Sequence, residues 1–205
     1  MKAMKIVHCA YFKTLRLRGC SWAGMAYKLN NGLIRLGHQV ICYNDREAVR
    51  ALSLFGTKTP WSVRKTNENF YNYCLHFRPD AIILGHADII TAETLLKIRD
   101  KVPGIKILQW NVDCINPYTD WGGHNIRNIR SKLGAVDFTL ITTADKKLLR
   151  QFEPEKHNVG FIPNPVDKGI EDGQAFANPA QMYDLLFAAS PTRPVSYTHL
   201  RAHET

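Results

Sequence analysis

Short, almost unbroken apolar runs recur along this chain, and each is followed by a stretch whose apolar residues repeat at helical spacing. The runs are Lys5–Tyr11, Gln39–Tyr43, Asp80–Gly85, Ile105–Trp110, Phe138–Thr142 and Val159–Pro163. Between the first two, Trp22, Met25, Leu29, Leu33 and Leu36 form a 3.6-period stripe, with Ser21 as its N-cap and Gly37 closing it. Arg46–Thr59 has weak helical character, and Val63–Phe77 reads as an aromatic-rich helix. A helix capped by Thr91 runs to Val102, and two more are expected over Gly123–Leu133 and Ala144–Phe152. Strands that alternate with helices build βαβ units, and strands without polar alternation must be covered on both faces. The pattern therefore predicts a doubly wound, mostly parallel α/β sheet with its first strand central and its ligand sites at the carboxyl edge.

The 205 residues are 45% apolar and 22% charged, a globular balance that excludes fibres, disordered tails and disulfide miniproteins. No apolar run approaches the roughly 18 residues of a spanning helix, and the start lacks the long apolar stretch of a signal peptide. The expected location is cytoplasmic. Cys9, Cys20, Cys42, Cys74 and Cys114 are odd in number and widely spaced, which suits reduced thiols. With neither a C-x-x-C pair nor an H-E-x-x-H motif, no metal site is expected. The formal charge of +9 favours an anionic partner. Lys and Arg are spread along the whole chain without a basic helix or an RNA-binding aromatic signature, which argues against nucleic acid.

Three carboxyl-edge loops carry the chemistry. After the first run, Arg16, Arg18 and Gly19 stand where a phosphate would meet a helix N-terminus, although they also suit a solvated loop. The loop is no dinucleotide fingerprint. G-x-G-x-x-G is absent, and Gly19–Gly24 has P-loop glycine spacing but is followed by Met25-Ala26 instead of Lys-Ser/Thr. After the third run comes His86, and after the fourth a long loop from Trp110 to Gly123 that mixes acids, amides and aromatics. That mix hydrogen-bonds hydroxyls and stacks on apolar ring faces, which nominates Trp110, Asn111, Asp120 and Trp121 as acceptor contacts. Asp113 or His86 is the candidate general base, Asp113 the better placed. The competing roles are helix capping for Asp113 or Asp120 and a turn position for His86.

Residues 1–167 read as one domain and 168–182 as a Gly-, Ala- and Asn-rich linker. Residues 183–193 then begin a new apolar strand without the elements that would cover it. The last stretch, 194–205, resembles the translation of a transposon-type sequencing-library adapter in one frame, and is set aside as non-native. The expected native piece thus ends near Arg193, at the start of a truncated second half.

Five segments in order carry a family resemblance: Arg78–Leu84, Trp110–Asp113, Ala135–Thr143, Phe161–Asp167 and Tyr183–Phe187. They resemble a "PD-hydrophobic" strand, a W-x-x-D segment, a "D-hydrophobic-T" strand, a P-N-x-V-D segment and the strand after the interdomain linker. Together they resemble the N-terminal half of GT-B glycosyltransferases, especially the CgeB-like spore-maturation family, over about Lys5 to Arg193. The family often carries two adjacent acids where this chain has Asp113-Cys114. The resemblance implies a Rossmann-like acceptor-side half, a nucleotide-sugar donor held mostly by a second half, a hydroxyl acceptor, and no tightly bound cofactor or metal. It also implies that the 205-residue chain alone is inactive. The alternative from another class is a non-catalytic α/β binding module for an anionic ligand or nucleic acid.

Overall fold

The computed structural model describes residues 2–14, 24–53, 56–153 and 158–171. Contacts divide the chain into Met1–Ile170 and Glu171–Thr205, and the architecture below is that of the first unit. Arg16, Arg18, Gly19, Ser21 and Trp22 lie outside the described residues, as do most of the expected linker, the strand from Tyr183 and the tail.

Six strands form one sheet in which every pairing is parallel. They are β1 (Lys5–Ala10), β2 (Gln39–Tyr43), β3 (Ala81–Gly85), β4 (Lys106–Asn111), β5 (Phe138–Ile141) and β6 (Val159–Phe161). The helices between them are α1 (Met25–Arg35), α2 (Asp45–Ala51), α3 (Pro60–Phe77), α4 (Ala92–Lys101), α5 (Asp120–Arg130) and α6 (Lys146–Arg150), with a short α7 (Lys168–Glu171) after β6. This is the doubly wound, Rossmann-like α/β fold that the alternation predicts. Among the described residues no helix is long and apolar enough to cross a membrane.

Helix starts follow capping chemistry more closely than hydrophobic period. Thr59 and Ser62 form a reciprocal capping box around Pro60, so α3 begins three residues before the expected Val63. The Thr119 hydroxyl accepts from Gly122 N at 3.1 Å, which starts α5 at Asp120. Neither Asp113 nor Asp120 is therefore the cap of that helix. The weak stretch after Arg46 yields only the seven residues of α2, with the Asn44 side chain as cap.

The strand order is β2-β1-β3-β4-β5-β6. β1 is interior but only one place from the edge, because β2 alone lies on its far side and every later strand is added beyond β3. On one face Val7, Cys9, Ile82, Leu84 and Ile107 pack against Phe70 and Cys74 of α3 and Leu95 and Ile98 of α4. A neighbouring core gathers Ile126 and Ile129 of α5 with Ile141 and Phe152. On the opposite face, Ala10 and Phe12 meet Ala26 and Tyr27 of α1. Buried Asp167 ties the segment after β6 back to α1, accepting from Asn31 Nδ2 at 2.7 Å and pairing with Arg35. Those two partners hold its carboxyl at about 2, below the usual range.

Candidate functional site

The chain leaves β1 toward β2 on one side and places β3 on the other, so a crevice opens between the carboxyl ends of β1 and β3. A cavity of about 240 Å³ occupies that position. Ala10, Tyr11 and Lys13 line it from the end of β1 and the segment after it, Gly85 and His86 from the end of β3, and Trp110, Val112 and Asp113 from the end of β4 and the loop that follows. Arg46 of α2 and the first turn of α1 complete the wall. The volume is somewhat below that of a typical ligand pocket.

The wall depends on one close approach. Gly85 and Trp110 are register partners on β3 and β4. The indole lies so near Gly85 that a Cβ there would fall 2.8 Å from Nε1. Only glycine lets the ring come this close to the neighbouring strand. The buried indole N–H finds no acceptor among the described residues.

His86 follows at once in a strained backbone. Its φ is +62°, Ala87 has φ +35°, and Ala87 N donates to Gly85 O at 2.8 Å, a three-residue turn centred on the histidine. Such turns at a side-chain-bearing residue are rare and persist only when their surroundings hold them. Here the hold comes from two elements. Asn128 Nδ2 of α5 donates to His86 O at 2.8 Å and to Asp88 Oδ1 at 3.1 Å, and the buried Lys132 Nζ donates to Asn128 Oδ1 at 2.6 Å. From α2, Asp45 accepts from Ile89 N at 3.1 Å and Arg46 pairs with Asp88. The turn role considered for His86 is thus real, and it aims the ring into the cavity.

There His86 Nε2 lies 3.3 Å from Asp113 Oδ2. The histidine side chain is 17% exposed and the carboxylate 61%, so the acid stands at the mouth and the imidazole behind it. Burial lowers the His86 pKa below its ordinary value, against the upward pull of Asp113 and Asp88. Asp113 is itself oriented: its N–H donates to Asn111 Oδ1 at 2.8 Å, and Thr142 Oγ1 donates to Val112 O at 3.1 Å. The pair can accept and hold a proton from a hydroxyl delivered to the mouth.

Of the residues nominated from sequence, Asp113, His86 and Trp110 come together at the cavity. Asn111 is buried and supports the Asp113 turn. Asp120 is the exposed first residue of α5, and Trp121 beside it is 78% exposed, neither of them lining the cavity. Tyr11, Lys13 and Arg46 were not nominated, yet all three line it. Their signal is topological: Cys9 pairs with Tyr43 across β1 and β2, which sets Tyr11 and the start of α2 side by side. Among the described residues no cluster of His, Cys, Asp or Glu is arranged to hold a metal ion. The chain matches no protein-family model, and comparison with curated proteins gives no match.

Proposed function

We propose that this α/β unit is the acceptor-side half of a GT-B glycosyltransferase, resembling the CgeB-like family, which moves a sugar from a nucleotide-sugar to a hydroxyl. The observation that carries the reading is the Asp113–His86 pair, set in a small cavity at the sheet's switch point. In the proposed reaction Asp113 takes the acceptor O–H proton as the acceptor oxygen bonds to the anomeric carbon. The bond from that carbon to the diphosphate breaks, and its electron pair leaves with the nucleotide. Neutral His86, its Nε2 3.3 Å from Asp113 Oδ2, is proposed to steady that oxygen and leave the other carboxylate oxygen to the acceptor. Arg16, Arg18 and Gly19 are proposed to meet the diphosphate, and the cytoplasm is the proposed location. Trp110 supplies an apolar wall for a sugar ring or polyol. Asn111 supports the acid from behind, while Asp120 and Trp121 are proposed to meet the acceptor's outer part.

The experiment is a coupled assay of nucleoside diphosphate release, with the uninterrupted reading frame that contains residues 1–193 and a panel of nucleotide-sugars. Acceptor-dependent release from one donor is the expected result. Absence of release from every donor, together with NAD(P) or nucleic-acid binding, would replace the reading with an oxidoreductase or a binding module.

A further inference from the structure

Two cations converge on one aromatic ring in the cavity wall. Lys13 Nζ lies 5.9 Å from the centroid of the Tyr11 ring, and the Arg46 guanidinium carbon lies 5.2 Å from the same centroid. The other two cation–ring contacts among the described residues each use a ring of their own, Lys5 over Phe77 and Arg130 over Phe152. Gathering like charges at a single ring raises their mutual repulsion, which an anion between or beside them relieves. Arg46 already has Asp88 as a partner. Lys13 has no carboxylate partner among the described residues, and its backbone is held at φ +55°, a region that disfavours side chains. A lysine kept there at that cost presents an uncompensated charge to the same cavity that holds the proton-accepting pair.

We propose that the acceptor bound here carries an anionic group, a phosphate or a carboxylate, held by Lys13 and Arg46 beside Tyr11 while its hydroxyl reaches Asp113. The word acceptor rests on the glycosyl-transfer reading, whereas the anion subsite stands on the cavity alone. The subsite explains why a small cavity needs both signs of charge: the cations fix one end of a short ligand, and the acid at the mouth meets the other. Discrimination against neutral alcohols follows, because they would leave Lys13 facing the cavity without a counter-charge.

The test is a titration of the 205-residue chain with glycerol, glycerol 3-phosphate and glycerate, followed by backbone amide shifts. These probes share hydroxyls and differ in charge and in its source. At least one anionic probe is expected to bind roughly tenfold or more tightly than glycerol, shifting the amides of Tyr11, Lys13 and Arg46, and the tighter of the two names the group. Lys13→Gln should remove most of that preference. So should Lys13→Gly, which relieves the positive φ and guards against a folding defect. Lys106→Gln, at the other end of β4, should keep it. Equal binding of all three probes, or equal losses in the Lys13 and Lys106 variants, would overturn the subsite. Anion binding through Lys13 in this chain, with no turnover of any nucleotide-sugar by the uninterrupted reading frame that contains residues 1–193, would sustain the subsite and remove glycosyl transfer.

Discussion

The Nε1, Cε2 and Cζ2 atoms of the Trp110 indole rest on Gly85, so closely that a Cβ on that glycine would sit 2.9 Å from Cζ2. Two adjacent strands thereby share one wall of the cavity. Gly85→Ala forces the ring away from β3 and is expected to cost about 1–3 kcal/mol of stability. Thermal unfolding followed by circular dichroism reads the cost, and a melting temperature equal to that of the parent would show that the indole moves aside freely.

His8 provides a pH signature of the fold. It is fully buried on β1 between Phe12 and Trp110, and burial pushes its pKa down to about 4 against a smaller upward pull from Asn30. The unfolded chain takes up the proton near pH 6.5, before the folded chain does. Stability is thus fully present above 6.5 and is lost as pH falls from 6.5 toward 4, by about 3 kcal/mol across the window. Urea unfolding at stepped pH measures this, and His8→Phe should flatten the slope in that interval. An unchanged slope would assign the pH dependence to other groups.

Asn67 predicts a different kind of loss. Its amide donates to Val63 O and Ile89 O, and its carbonyl accepts from Thr91 N and Thr94 Oγ1, so one buried side chain of α3 fastens both the loop after β3 and the start of α4. Asn67→Leu leaves Ile89 O and Thr91 N without that partner and is expected to destabilise by about 2 kcal/mol or more. Hydrogen exchange should then quicken at Thr91 and Thr94 before it does so in β1. Uniform exchange across the sheet would contradict the local anchoring.

Most of the fold was legible because each strand is buried by composition alone. Ile82, Leu84 and Ile107 need apolar cover whichever strands adjoin them, so alternation with helices was enough to announce a parallel sheet. Strand order was less legible. The helical segment from Asp45 to Phe77 carries the chain back past β1, and nothing in its period says on which side β3 will land. At the site, His86, Trp110 and Asp113 were readable as residues just beyond strand ends. Tyr11, Lys13 and Arg46 were not, since their meeting depends on the register of β1 against β2. The loop that holds Asp120 and Trp121 was legible in its chemistry but not in its placement. Its composition suggests a binding surface throughout, but Thr119 captures Asp120 into a helix and leaves Trp121 facing outward.

The pH dependence of turnover tests the pairing of His86 with Asp113. The His86 pKa is lowered by burial, so the ring stays neutral through the usual assay range and becomes imidazolium only under more acidic conditions. A charged ring beside Asp113 weakens the carboxylate as a base, so kcat should fall on the acid side of the profile. His86→Gln, which keeps a donor but cannot titrate, should lose that acid limb at the histidine's pKa. Retention of the same limb would place the titrating group elsewhere.

Asp113→Asn in the reading frame that contains residues 1–193 tests the proton acceptor most directly, because it keeps the side chain's shape while replacing one accepting oxygen with an NH2 donor and removing the charge and the basicity. With the melting temperature held and nucleotide-sugar turnover as readout, kcat should drop at least roughly a hundredfold. Turnover equal to that of the parent would contradict the assignment of Asp113 as the proton acceptor and, with it, the catalytic reading of this cavity.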